Sequence, residues 1–146
     1  MHLTRLALPV ALGCGLLVVA PVAAEAAKPR PLVRPVTTFK DPQFGRVLST
    51  RSGKALYWWN RESARRIRCT GSCARPWPPL VVSKRVRIPS AIRGVKGRFG
   101  TVRRPDGRRQ VTFRGRPIYT YAHENRREVR CNNVNGWFVA RARGLR

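Results

Sequence analysis

The chain has 146 residues, of which 31 are Lys or Arg and only 6 are Asp or Glu, so its formal net charge is +25. This length allows one domain rather than several. The sequence contains no phosphate loop, no dinucleotide-binding glycine fingerprint and no zinc-protease helix motif, so it indicates no particular reaction. We identify no catalytic residue, no cofactor and no metal ligand set, and the sequence sets no oligomeric state.

Residues 1–24 have the pattern of a cleavable secretory signal peptide. Arg5 supplies a positive charge, and an apolar run with small residues at its end follows up to Val22 and beyond. The run is short for a membrane span, so we expect no transmembrane span in the mature chain, with an uncleaved anchor as the alternative. Cys14 lacks the sequence context of a lipid-attachment cysteine, and we expect it to be removed with the signal. The mature protein is predicted to be secreted or associated with the cell envelope.

Residues 25–43 are predicted to form a proline-rich tether. Pro29, Pro31, Pro35 and Pro42 fall in this short stretch, and proline holds the backbone extended while removing a hydrogen-bond donor. We therefore expect an extended, flexible segment in front of the folded domain.

The remaining chain is predicted to be a single all-β domain over residues 44–141, followed by a basic tail at 142–146. Two β-type runs, 45–48 and 55–59, flank a turn at 52–54 and predict a hairpin. Further strands are predicted at 99–103, 109–113, 117–121 and 137–140, with turns at 105–107 and 114–115.

An internal repeat is predicted within this domain. A shift of the sequence on itself aligns, without a gap, Gly53 with Gly115, Leu56 with Ile118, Tyr57 with Tyr119, Glu62 with Glu124 and Cys69 with Cys131. Each copy is a hairpin-type unit too small to cover its own apolar face. The economical arrangement is one small domain in which the two units are related by a pseudo-twofold axis.

A motif in this repeat resembles a known family. The pattern Gly-x-x-Leu-Tyr-x-aromatic-x-x-Glu begins at Gly53, and the segment CTGSCARPWPPL follows at 69–80. Together they resemble the secreted repeat family of unknown function, which are predicted bacterial lipoproteins with a Tyr-x-aromatic-x-x-Asp motif. The resemblance covers about residues 44–140 and implies a family but no activity. The family motif falls here on Tyr57, Trp59 and Glu62 and on Tyr119, Tyr121 and Glu124, with Glu in place of the family's Asp.

The aromatic residues of the motif alternate along predicted strands. Tyr57 and Trp59 would point to one face with Tyr119 and Tyr121, while Trp58 would point to the other. Such rings either pack in the core or form a stacking platform for a sugar, a base or a cofactor ring. We favour the core, and Trp58 is the better candidate for the surface.

The two motif glutamates have two interpretations. Glu62 and Glu124 could act as an acid and base pair or as cation ligands. Alternatively, each carboxylate fixes a turn or a strand end in a chain rich in arginine. We favour the structural interpretation.

The mature cysteines leave several pairings open. A local Cys69–Cys73 disulfide is our first choice in an exported chain, and a Cys69–Cys131 disulfide between the repeats is the rival. A zinc site of Cys69, Cys73, Cys131 and His123 would have suitable atoms but would need thiolates. Nearby, the Pro76–Pro79 segment with Trp77 is interpreted as a rigid corner rather than a ligand for an aromatic groove.

The charge predicts anionic partners. The candidates for polyanion binding are Lys84, Arg85, Arg87, Arg93, Lys96, Arg98, Arg103, Arg104, Arg108 and Arg109. We expect salt-sensitive association with anionic polymers of the cell envelope or membrane head groups, and no specific nucleic acid. The alternative hypothesis is an extracytoplasmic redox or metal-handling protein that uses Cys69, Cys73 and Cys131.

Overall fold

The computed structural model describes residues 28–145, so the predicted signal peptide lies outside the described residues. These residues form an all-β structure, as predicted. The strands are β1 (Val36–Asp41), β2 (Gly45–Thr50), β3 (Tyr57–Trp59), β4 (Val81–Val82), β5 (Phe99–Arg103), β6 (Arg109–Phe113), β7 (Arg116–Pro117) and β8 (Trp137–Val139), with a 3₁₀ helix at Gly71–Ala74. Between residues 28 and 145, no helix is long and apolar enough to cross a membrane.

The strands form three small antiparallel sheets. β1 pairs with β2, β3 pairs with β8, and a four-stranded sheet has the order β4-β6-β5 with β7 also paired to β6. Further chain segments join through isolated bridges, including one between Tyr57 and Tyr119. The hairpins β1–β2 and β5–β6 have the longest ladders, and the shorter long-range pairings of β3 with β8 and of β4 with β6 join distant parts of the chain.

The prediction for residues 99–113 is confirmed. β5 and β6 have the predicted bounds and pair from Phe99 opposite Phe113 to Arg103 opposite Arg109. The predicted turn closes them, because Gly107 has φ +77° and donates its N–H to the Arg104 carbonyl at 2.9 Å. Glycine supplies this left-handed backbone at little steric cost.

The predicted hairpin of residues 45–48 and 55–59 forms over a short stretch: Ser49 and Ala55 form an antiparallel bridge, and the Leu56 N–H donates to the Leu48 carbonyl at 2.9 Å. A turn does form there, with the Gly53 N–H donating to the Thr50 carbonyl at 3.0 Å. However, β2 pairs along its whole length with β1, and β3 pairs with β8. The stacked rings of Trp59 and Trp137, with centroids 5.3 Å apart, hold β3 against β8.

The predicted flexible tether is wrong for residues 36–41, which form β1. Val36 and Phe39 are buried on this strand, and the prolines lie outside it, where they remove no ladder donor. The Asp41 carboxylate then closes the turn to β2 by accepting the Gln43 and Phe44 N–H groups at 2.9 and 2.8 Å.

The predicted basic tail is wrong for residues 142–145, which pack into the domain. The Ala142 N–H donates to the Arg46 carbonyl at 2.7 Å, and the Ala142 carbonyl accepts the Lys96 N–H at 2.6 Å. Ala142 is only 2% exposed. These backbone bonds fix the segment between β2 and the loop that precedes β5.

Two buried clusters lie on opposite sides of the motif strands. The tyrosine cluster is Phe39, Val47, Ala55, Tyr57, Cys69, Trp77, Tyr119, Trp137 and Val139. The phenylalanine cluster is Val36, Leu48, Leu56, Phe99, Val111, Phe113, Ile118 and Ala140. Trp59 and Tyr121 pack against the first cluster and Trp58 against the second, which confirms the predicted alternation of faces.

We predict that Phe39→Ala destabilises the protein by about 3–5 kcal/mol, because it removes a buried ring from the tyrosine cluster. Thr37→Ala, at an exposed position of the same strand, is the control and is expected to change the free energy of unfolding by less than about 0.5 kcal/mol. Denaturant unfolding measures both. Equally small effects would show that β1 does not belong to the folded unit.

Candidate functional site

The two motif tyrosines lie against each other at the centre of the molecule. The Tyr57 N–H donates to the Tyr119 carbonyl at 2.8 Å, and the Tyr119 N–H donates to the Tyr57 carbonyl at 2.9 Å. Both side chains are fully buried. This backbone exchange joins the two predicted repeat units in the middle of the tyrosine cluster.

The tyrosine hydroxyls are bonded crosswise to the motif glutamates. Tyr57 donates to Oε1 of Glu124, and Tyr119 donates to Oε2 of Glu62 at 2.7 Å. Each tyrosine thus binds the glutamate that follows the other tyrosine. The predicted pseudo-twofold relation stays a prediction, and this reciprocity supports it.

Each glutamate also holds a loop. Oε1 of Glu62 accepts the N–H groups of Arg68 and Cys69 at 2.6 and 2.5 Å. Oε1 of Glu124 accepts the Arg130 N–H at 2.7 Å. The Oε2 atom of Glu124 is buried without a hydrogen-bond partner within the described residues, so the two environments differ in how well they satisfy the carboxylate.

Burial shifts the pKa values of this centre. Burial raises the pKa of the Glu124 carboxyl, against the hydrogen bonds from Tyr57 and Arg130. Burial is the main cause that raises the pKa of the Tyr57 and Tyr119 hydroxyls well above the usual value. The hydrogen bond to the neighbouring glutamate and its negative charge raise the pKa further. With Glu62 and Glu124 only 2% and 3% exposed, these groups are enclosed by their own partners. The contacts support the structural interpretation of both glutamates.

Arg104 belongs to this buried centre and not to the surface. Its Nη2 donates to the Cys69 carbonyl at 2.7 Å, and its Nη1 donates to Oε1 of Gln110 at 2.5 Å. The residue is 2% exposed. Its selection as a polyanion-binding residue is therefore wrong, since the guanidinium is already bonded inside the protein.

An aromatic column crosses the tyrosine cluster. Trp137 stacks on Trp77 with centroids 3.9 Å apart and on Trp59 at 5.3 Å, and Trp77 contacts Tyr121 at 4.8 Å. Trp77 is buried, which supports the corner interpretation of the proline-flanked segment. These contacts favour packing over a stacking platform.

Trp58, the predicted surface ring, is half-buried on the other face. It stacks on Phe138 with centroids 5.2 Å apart, and the Arg116 guanidinium lies 5.2 Å from its ring centroid. Neighbouring side chains of this chain therefore contact the ring.

The cysteines form the disulfide that was our first choice. Cys69 is bonded to Cys73, with Cα atoms 5.1 Å apart, so the rival Cys69–Cys131 pairing is wrong. Cys131 carries a free, half-buried thiol, and burial raises its pKa. Bonded sulfurs are not thiolates, so the zinc set with His123 is not available, and residues 28–145 contain no group of three or more metal-ligating side chains.

The other predicted polyanion-binding residues lie mostly at the surface. Exposed positions are Lys84, Arg85, Arg87, Arg93, Lys96, Arg98, Arg103 and Arg108. Arg109 is half-buried, and its Nη1 donates to the Val86 carbonyl at 2.8 Å. The residues do not form one continuous set: Lys84, Arg108 and Arg109 line one shallow cavity, whereas Lys96 and Arg98 line another.

A larger basic groove was missed by the sequence analysis. Its volume is about 1130 Å³, and its cationic lining residues are Lys40, Arg46, Arg114, Arg141 and Arg143. The residues come from three separate parts of the chain, so no local run of charge indicates them. This basic groove is the candidate functional site of the protein.

The chain matches no protein-family model, no curated protein and no solved structure. The resemblance to the secreted repeat family stays a prediction.

We predict that Glu124 makes the stability of the protein fall as the pH rises. Because its pKa is raised on folding, its unfolded form ionises first, from about pH 4.5 upward, and the folded state loses stability until the folded pKa is passed. The free energy of unfolding of the native protein, relative to Glu124→Gln, should therefore decrease as the pH rises above about 4.5.

Glu128→Gln is the matched control. The Asn125 N–H and the Arg130 guanidinium lower the pKa of Glu128, so its contribution is present above the unfolded pKa and lost as the pH falls. The stability difference between native protein and this variant should rise with pH up to about 4.5 and stay level above it. The same slope for both variants would contradict the assignment of Glu124 to a desolvated site.

Proposed function

We propose that this protein is an exported, non-enzymatic basic β module that associates with anionic polymers of the cell envelope or with membrane head groups. The observation that carries this proposal is that the acidic side chains are bonded within the protein. Each carboxylate within residues 28–145 accepts hydrogen bonds from the protein itself: Asp41, Glu62, Asp106, Glu124 and Glu128.

The consequence is a surface with few free anions to balance its cations. Asp106 pairs with Arg108 at 2.8 Å and Glu128 with Arg130 at 2.6 Å, and these are local neighbours. Most other basic side chains, such as Arg85 and Arg103, are exposed and have no acidic partner within the described residues. A field of one sign attracts polyanions over a range set by the Debye length.

Two features support the extracytoplasmic part of the proposal. The pattern of residues 1–24 is that of a secretory signal. The Cys69–Cys73 disulfide is a bond that persists mainly in oxidising compartments. An envelope offers phosphate-, sulfate- and carboxylate-bearing polymers to a basic module placed there.

The redox or metal-handling alternative gains no support from the cysteines. The Cys69–Cys73 bond occupies two of the three sulfurs, and the remaining Cys131 thiol has a raised pKa, which disfavours its reactive thiolate form. We therefore propose binding rather than electron or metal transfer.

Affinity chromatography of the mature protein tests this function. We predict retention on immobilised heparin and on cell-wall preparations, and the logarithm of the observed binding constant should fall linearly as the logarithm of the salt concentration rises. Reductant should leave the retention unchanged. A triple variant with three fewer exposed cations should elute at lower salt than the native protein; its substitutions are Lys84→Gln, Arg85→Gln and Arg87→Gln. Retention that salt does not release, or that reductant abolishes, would contradict the proposal.

A further inference from the structure

The cations of the basic groove come from three parts of the chain: the β1–β2 hairpin, the β6–β7 turn and the segment after β8. Lys40 is at the end of β1, Arg46 is in β2, Arg114 is in the turn between β6 and β7, and Arg141 and Arg143 follow β8. The groove has no acidic residue in its lining. The fold has therefore brought together cations from the β1–β2 hairpin, the β6–β7 turn and the segment after β8, which are far apart in the sequence.

Backbone hydrogen bonds fix the floor of the groove. The Ala142 N–H donates to the Arg46 carbonyl at 2.7 Å, and its carbonyl accepts the Lys96 N–H at 2.6 Å. The Gly144 N–H then donates back to the Arg141 carbonyl at 2.9 Å and closes a turn. The spacing of Arg141 and Arg143 relative to Arg46 is set by these bonds and not by flexible side chains alone.

Two glycines provide seats for the guanidinium groups. A Cβ atom on Gly94 would lie 2.7 Å from Nη1 of Arg46, and a Cβ atom on Gly144 would lie 2.9 Å from Nη1 of Arg114. Each guanidinium therefore lies close to a glycine, where the missing side chain leaves space for it.

We propose that this groove binds a linear phosphate polymer, an inference that rests on the proposed association with polyanions. Four of its five cations are arginines, whose planar donors bind phosphate oxygens in pairs. A tetrahedral phosphate presents oxygens in several directions and can accept from guanidinium groups on different walls. Each internal phosphate of such a polymer carries two non-bridging oxygens on a tetrahedral phosphorus, whereas the two oxygens of a carboxylate lie in one plane and suit a single guanidinium fork.

The shape favours a chain over a membrane or a small ligand. The volume, about 1130 Å³, exceeds the usual 300–1,000 Å³ of a small-molecule pocket. A concave site can contact a narrow chain of linked phosphates from more than one side, whereas a bilayer presents its head groups on a flat surface. Phosphate polymers and phospholipids share this chemistry, and binding to polyphosphate and to vesicles distinguishes the two.

The experiment compares two triple variants of the mature protein. The groove variant is Arg46→Gln, Arg114→Gln, Arg143→Gln, and the control variant is Arg65→Gln, Arg66→Gln, Arg75→Gln. All six positions are exposed, and both variants lose the same charge. Titration calorimetry measures binding to sodium polyphosphate, to poly-L-glutamate and to vesicles containing phosphatidylglycerol.

We expect the groove variant to bind polyphosphate at least about tenfold more weakly than native protein and the control variant to lose less than about threefold. The salt dependence of polyphosphate binding should also fall by about two units of slope in the groove variant. Poly-L-glutamate and vesicles should bind native protein more weakly than polyphosphate does, with similar losses in both variants.

Other outcomes separate the inference from the proposed function. Equal losses of polyphosphate binding in the two variants would overturn the groove as the site and leave general polyanion binding intact. Binding of poly-L-glutamate as tight as that of polyphosphate would contradict the preference for phosphate. A loss of vesicle binding in the groove variant but not in the control variant would contradict the assignment of the groove to a polymer rather than a membrane. Absence of binding to every polyanion would contradict both proposals.

Two further measurements guard against a folding artefact. Circular dichroism and the thermal midpoint should be the same in both triple variants. If the groove triple is unfolded, Lys40→Gln, Arg143→Gln replaces it, since both side chains are exposed. Amide NMR signals of Gly94 and Gly144 in native protein should shift on polyphosphate addition, and unchanged signals would contradict binding in the groove.

Discussion

The need to satisfy two buried carboxylates at the centre of the tyrosine cluster constrains the rest of this structure. Glu62 and Glu124 are enclosed, and an unpaired buried charge costs several kcal/mol. The hydroxyls of Tyr119 and Tyr57 meet this need across the interface between the predicted units. Neither unit can complete its own tyrosine and glutamate bonds without the other.

The same bonds position the loops around the centre. Glu62 holds the N–H groups of Arg68 and Cys69, and Cys69 in turn carries the disulfide and gives its carbonyl to Arg104. The buried centre thus uses carboxylates and one guanidinium for structure. The chain has few acidic side chains, and these bonds engage two of them in the core. The surface is therefore strongly cationic, and this cationic surface links the core to the proposed binding of polyanions.

Local signals in the sequence predicted the local features of the fold. Alternating β-type residues with a Pro-Asp-Gly turn gave the bounds of β5 and β6, and period-two alternation assigned Tyr57 and Leu56 to opposite clusters. The short spacing of Cys69 and Cys73 in an exported chain predicted their disulfide.

Features that depend on distant pairing were not accessible in this way. The prolines around β1 concealed Val36 and Phe39, whose burial depends on β2 and the two clusters. Arg104 lies in a run of surface arginines and is buried only because Gln110 and the Cys69 carbonyl face it. The basic groove exists because the segment after β8 returns to β2, and nothing in the spacing of its cations indicates that return.

Double-mutant cycles on the tyrosine and glutamate pairs test the central claim most directly. Tyr57→Phe combined with Glu124→Gln, and Tyr119→Phe combined with Glu62→Gln, should each show a coupling free energy of about 1–3 kcal/mol in denaturant unfolding. The pairs within one predicted unit, Tyr57 with Glu62 and Tyr119 with Glu124, should couple by less than about 0.5 kcal/mol. Strong coupling within a unit and none across the units would contradict the crossed arrangement and the structure built on it.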